Sequence, residues 1–138
     1  MAEKINITIS STHFNNVPGC LIRMNDKIVL DQPISEDTSI EELVEFPMAV
    51  EIMLYGKGMQ DMRFENGKIV EDTLLFLHEF RINDVLVTGL LMNDPDNIYY
   101  LHPSRGKENY RNAIGDNEAK LIVNIIDNPY VWIYNTDK

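Results

Sequence analysis

Apolar and polar residues alternate with a period of two over much of this chain. Ile5, Ile7 and Ile9 are separated by Asn6 and Thr8, the pattern of a strand with one buried face. Pro18-Gly19 marks a turn, and Cys20 to Met24 predicts the next strand. Asn25-Asp26 then separates it from Lys27 to Leu30, giving a hairpin. Val50, Ile52 and Leu54 alternate with Glu51, Met53 and Tyr55 until Gly56-Lys57-Gly58 breaks the run. Met59 to Phe64 and Lys68 to Val70 flank Asn66-Gly67, the strongest hairpin dipeptide in the chain, because both turn residues tolerate positive φ. Thr73 to Ile82 predicts a long strand with Leu74, Phe76, His78, Phe80 and Ile82 on one face. Asn83-Asp84 turns it into Val85 to Leu91.

Two segments have a less clear period. In Ser35 to Phe46, Thr38 and Glu41 have the spacing of a capping box, and Ile40, Leu43 and Val44 have helical spacing. A short helix ended by Pro47 is therefore expected there, over an irregular strand. Ala119 to Ile126 suits a helix through Leu121, Ile122, Ile125 and Ile126, or a strand through Leu121, Val123 and Ile125. Ile98 to Leu101 predicts a short strand, and Tyr130-Val131-Trp132-Ile133-Tyr134, introduced by Asn128-Pro129, predicts another.

Composition supports strands: sixteen Ile and nine Val stand against four Ala. The 138 residues, 44% hydrophobic and 25% charged, fit one globular domain spanning 1–138. Short strands with turn signals between them predict an all-β fold with minor α content, an antiparallel jelly-roll-like sandwich of about 8–10 strands with one or two short helices. Its expected inner face holds Ile5, Ile7, Val50, Ile52, Leu54, Leu74, Phe76, Phe80, Val85, Val87 and Trp132.

A net charge of −10 argues against nucleic acid as a partner, since that affinity comes mainly from neutralising phosphates. Apolar runs of only a few residues argue against a membrane span. Met1-Ala2-Glu3-Lys4 leads straight into the first strand without the features of an export signal. The expected location is therefore the cytoplasm, or a particle assembled in it. The single Cys20 has no intramolecular disulfide partner.

Candidate chemistry is sparse. His13 lies seven residues before Cys20 with no third group to orient the pair, so Cys20 is expected as a small buried side chain. His78 is expected packed between Phe76 and Phe80. No cofactor is expected. The alternative is calcium, for which Asp94, Asp96 and Asn97 offer oxygen ligands in one loop. Asp61 and Asp72 flank the Asn66-Gly67 hairpin, but nothing selects a catalytic pair from twenty-two carboxylates, and a non-enzymatic role is expected. The basic residues are more informative. Arg105, Lys107 and Arg111 fall within seven residues, beside His102 and interleaved with Tyr99, Tyr100 and Tyr110. Tyr and Arg dominate interface energetics, so these seven residues are the candidate subunit interface.

The stretch 50–87 contains Val-Glu-Ile-Met-Leu-Tyr-Gly-Lys-Gly, then Asp61, then Glu-Asn-Gly-Lys-Ile-Val-Glu-Asp-Thr, a long strand and Ile82-Asn83-Asp84-Val85. This order resembles the jelly-roll sandwiches of calcium-dependent carbohydrate-binding modules, and the tailed-phage virion proteins built on that scaffold. The resemblance implies a structural subunit of a phage particle, a capsid decoration or a tail- or neck-associated protein. Such a subunit acts through protein–protein contacts, as a homo-oligomer or with other virion subunits. The alternative it implies is a carbohydrate-binding module, with or without calcium; no ligand residue of that family carries across. An assembly that ties down both ends, Met1 and the Asn135-Thr136-Asp137-Lys138 tail, belongs to the same expectation.

Overall fold

The strict alternation at the start of the chain becomes β1 (Ala2–Thr12), with Ile5, Ile7 and Ile9 fully buried. The computed structural model describes residues 2–137; Met1 and Lys138, part of the expectation about tied ends, lie outside them. After β1 the chain crosses to a second sheet and forms the hairpin β2 (Gly19–Met24) and β3 (Lys27–Pro33). Its turn residues Asn25 and Asp26 both have positive φ. It crosses back as β4 (Thr38–Glu45) and again as β5 (Met48–Tyr55). A small ribbon, β6 (Arg63–Glu65) and β7 (Lys68–Glu71), turns at Asn66-Gly67 and leads into β8 (Leu74–Ile82) and β9 (Val85–Leu86). The remaining elements are β10 (Ile98–His102), β11 (Gly106–Glu108), β12 (Lys120–Ile125) and the helix α1 (Pro129–Thr136).

All pairings between strands are antiparallel. One sheet has the order β4-β1-β8-β9 and the other β11-β10-β12-β5-β2-β3. Together they hold ten of the twelve strands, with the β6–β7 ribbon apart. The inward side chains of both sheets form one core, from Ile5 and Phe80 on the first to Ile52, Leu54 and Val123 on the second. The architecture is an all-β antiparallel sandwich with minor helix. No helix among the described residues is long and apolar enough to cross a membrane.

Five expectations are corrected. Residues 38–45 form strand β4 and not a helix, because they pair along β1, with Ile7 opposite Ile40. The apparent capping box has no helix to cap: the Thr38 hydroxyl donates to the Glu36 carbonyl in the turn before the strand. Residues 130–134 lie in α1 and not in a strand. Asn128 Oδ1 accepts from the Tyr130 N–H at 2.9 Å, and Pro129 occupies the first turn, where its missing N–H costs nothing. Val85 to Leu91 is a strand only over two residues. It then becomes the 3-10 turn Thr88–Asn93, whose Thr88 hydroxyl accepts from the Phe80 N–H. Met59–Asp61 is likewise a 3-10 turn and not the start of a strand.

The fifth correction concerns the inner face. Opposite β1, β8 carries a bulge: Thr8 faces Glu79 but Ile9 faces Leu77, which leaves His78 as the extra residue. The bulge flips the parity of the strand. Leu75, Leu77, Phe80 and Ile82 point inward, Leu74 and Phe76 are only half-buried, and His78 is exposed rather than packed. Val85 is also exposed, whereas Val87 and Trp132 do enter the core.

Candidate functional site

The candidate residues lie on β10, β11 and the segment after it, at one edge of the six-stranded sheet. In the loop 109–116 the Ile114 N–H and C=O both bond to Leu75 of β8, so the loop is pinned to the opposite sheet and closes that side of the sandwich. Between the hairpin and this loop lies an open cleft of about 390 Å³, lined by residues that include Tyr100, Arg105, Glu108, Asn109, Arg111 and Asp116.

Asp116 organises the floor. The Tyr100 hydroxyl donates to its carboxylate at 2.6 Å and accepts from its backbone N–H at 3.1 Å. Burial, followed by the bond to Asp116, pushes the Tyr100 hydroxyl up to a pKa of about 12. His102 Nδ1 accepts from the backbone N–H groups of Ser104 and Arg105 at 3.1 and 3.0 Å. That places its proton on Nε2, 3.7 Å from Asp116. Arg105 makes a bidentate pair with Glu108, both bonds 3.1 Å, and its guanidinium lies 3.8 Å from Asp116. This guanidinium holds the Glu108 carboxyl below its ordinary range.

Thus Tyr100, His102 and Arg105 converge on Asp116, and Arg111 lines the same cleft. Arg111 is exposed, with no ion-pair partner among the described residues. Lys107 points elsewhere, with its ammonium 4.5 Å from the centroid of the Tyr99 ring and bonded to the Asp96 carbonyl. Tyr110 is a core residue, and burial pushes its hydroxyl up to a pKa of about 12. Of the seven candidates, Tyr100, Arg105 and Arg111 line the cleft, His102 reaches Asp116, Tyr99 and Lys107 pair beside it, and Tyr110 lies in the core. Sequence reading missed Glu108 and Asp116. Glu108 could have been found from its i+3 spacing to Arg105, whereas Asp116 enters only because Ile114 folds back onto Leu75.

The other candidates have structural partners. Asp94 accepts from the Trp132 indole N–H at 3.0 Å and from Asn97 Nδ2 at 3.1 Å, so it links the 94–97 turn to α1; Asp96 is exposed. Among the described residues no group of three or more His, Cys, Asp or Glu side chains is placed to hold a metal. Asp61 is fully buried and receives three donors, the N–H of Gly58 and the N–H and Nδ2 of Asn16. The Gly58 bond leads the effects that hold its carboxyl below the ordinary range. Asp72 lies 2.6 Å from Lys57, whose ammonium also donates to the Gly115 carbonyl at the back of the cleft. Cys20 points into the core, where burial pushes its thiol up to a pKa of about 12, and His13 is exposed.

The Ser104 hydroxyl lies 3.2 Å from His102 Nδ1, a nitrogen that already accepts the backbone N–H groups of Ser104 and Arg105. The arrangement offers a concave surface with two guanidiniums at its rim and carboxylates on its floor, able to receive an acidic or hydrogen-bonding group. In comparisons with protein-family models, curated proteins and solved structures, nothing matches this chain.

Proposed function

We propose that the chain is a non-enzymatic structural subunit of a tailed-phage particle, a capsid decoration or a tail- or neck-associated protein. It acts through protein–protein contacts made by the Tyr99–Arg111 segment, and its place is the virion. The observation that carries this reading is Arg111, exposed and without an ion-pair partner among the described residues. It stands with Arg105 on the cleft rim of a chain whose net charge is −10. A basic rim on an acidic protein suits a carboxylate-bearing protein surface, because guanidinium–carboxylate pairs combine charge with fixed geometry. The sandwich form supports the same reading, since it gives the rim a rigid base. The test is mass spectrometry of density-gradient-purified particles from the phage that encodes the chain. The chain is expected in the particle fraction in stoichiometric amount; its recovery only outside particles overturns the proposal.

The cleft also favours a second reading, a carbohydrate-binding module, because Asn109, Glu108, Asp116 and two arginines together can bond several hydroxyls. A glycan array run with and without EDTA separates the two. Sugar binding replaces the first reading, and its loss on chelation assigns calcium a part.

A further inference from the structure

The basic rim has a counterpart on the other side of the molecule. Between Glu36 and Glu45 lie five carboxylates, Glu36, Asp37, Glu41, Glu42 and Glu45, and no basic residue. Most of this stretch is β4, an edge strand of the four-stranded sheet with one flank unpaired. Ser39, Glu41, Leu43 and Glu45 alternate outward from it, and Leu43 is 72% exposed. Glu41 takes one bond from Asn6 Nδ2, and Glu42 lies 3.7 Å from Lys27. Glu36 and Asp37 are exposed in the turn before the strand, without ion pairs among the described residues.

The topology keeps these two surfaces apart. In the four-stranded sheet, β4 lies on one side of the β1–β8 pair and Ile114 is bonded to β8 on the other. They are three strand spacings apart, about 14 Å. In the six-stranded sheet, β11 is one edge and β3 the other, and β3 is the strand that contacts β4. The acidic β4 edge therefore lies on the side of the sandwich away from the basic segment, and one molecule does not pair them internally.

We propose that copies of this chain associate head to tail, the Arg105–Arg111 segment of one copy docking on the acidic β4 edge of the next. The proposal rests on reading that segment as an interface and names its partner as a second copy. An exposed edge strand invites pairing, and like charges directly opposite each other disfavour β4 against β4. A basic partner meets no such repulsion. Arg111 supplies an exposed guanidinium without an ion pair among the described residues, and Leu43 adds apolar contact on the outward face of the strand. A contact between unlike surfaces repeats as a ring or filament and does not close as a two-fold dimer. Its charges are solvent-exposed, so salt weakens it.

The test is sedimentation velocity of the full chain over a range of concentrations, at low and at high salt. At low salt the sedimentation coefficient is expected to rise with concentration, and at high salt to return to the monomer value. Two variants break one surface each: Lys107→Glu/Arg111→Glu in the basic segment and Glu36→Lys/Asp37→Lys before β4. All four side chains are exposed, and unchanged circular-dichroism melting checks the fold. Each variant alone loses self-association. Their equimolar mixture forms a one-to-one pair and stops there, because the intact rim of one meets the intact edge of the other, while both remain net negative. A wild-type chain that stays monomeric at low salt, variants that still associate alone, or a mixture that stays monomeric overturns the inference. A monomer still found in purified particles leaves the proposed function standing; a self-associating chain absent from particles does the reverse.

Discussion

Lys57 and Asp72 form a buried ion pair behind the cleft, and removing either partner has unequal consequences. The Lys57 side chain is 4% exposed and that of Asp72 is 23% exposed. In Asp72→Ala the ammonium is left in the interior with the Gly115 carbonyl as its remaining acceptor. Stranding one charge of a buried pair costs about 3–5 kcal/mol. In Lys57→Met the stem still packs, the charge is gone, and Asp72 keeps its 2.7 Å bond from the Thr73 N–H together with access to water. That loss is about 1–2 kcal/mol. The double variant Lys57→Met/Asp72→Ala removes both charges and is expected near the Lys57→Met value, about 3–5 kcal/mol below the sum of the singles.

Urea unfolding followed by Trp132 fluorescence measures all four proteins. Against a total stability of about 5–15 kcal/mol for a domain, Asp72→Ala shifts the midpoint visibly. If Lys57→Met is the more damaging single variant, or if the two effects add, the ammonium is not held by Asp72 and this account of the cleft's back wall is wrong.

Other outcomes follow from the same contacts. Asp61→Asn is expected to cost about 2 kcal/mol at neutral pH, because a charged acceptor of three donors is lost. The Asp61 carboxyl is held below its ordinary value of 3.8 in the fold. Its contribution is therefore complete above that value and lost as pH falls through the lower folded one. Urea midpoints of wild type and variant should converge in strong acid, and a constant gap would contradict the assignment. Cys20, buried with its thiol near 12, should resist a thiol reagent at pH 8 in the native protein and react on unfolding. Fast native labelling would show β2 to be open. Asp94→Ala removes the acceptor of the Trp132 indole N–H and is expected to shift its emission to the red and lower the melting temperature, because the 94–97 turn then releases α1. An unchanged spectrum would mean that burial alone sets the emission.

What could be read from the sequence was what is set locally. The turns at Asn25-Asp26, Asn66-Gly67 and Asn83-Asp84 all require positive φ, which Asn, Asp and Gly tolerate, and each is a hairpin turn in the fold. The alternation in β1 and β5 survives because each has one face against the core. The failures came where a distant partner or one polar bond outweighed local preference. Residues 38–45 carry helical spacing, yet β1 needs a neighbour and Ile40 supplies it opposite Ile7. Tyr130 to Tyr134 have strand preferences, but the Asn128 cap, Pro129 and the bond from Trp132 to Asp94 make them a helix. The bulge at His78 left no mark in the pattern, and it moved Leu74 and Phe76 off the inner face.

The candidate site divides in the same way. Arg105, Lys107 and Arg111 are legible as a basic run. Their roles differ through contacts that spacing does not encode: Glu108 neutralises Arg105, the Tyr99 ring holds Lys107, and Arg111 has no ion-pair partner among the described residues. The acidic stretch Glu36 to Glu45 is equally plain in the sequence, but in a helix its charges would have no particular neighbour. Once it is the free edge of a sheet, opposite the side that carries Arg111, the pattern becomes directional. Charge on one side and countercharge on the other is an arrangement that a single copy leaves unused and a row of copies employs.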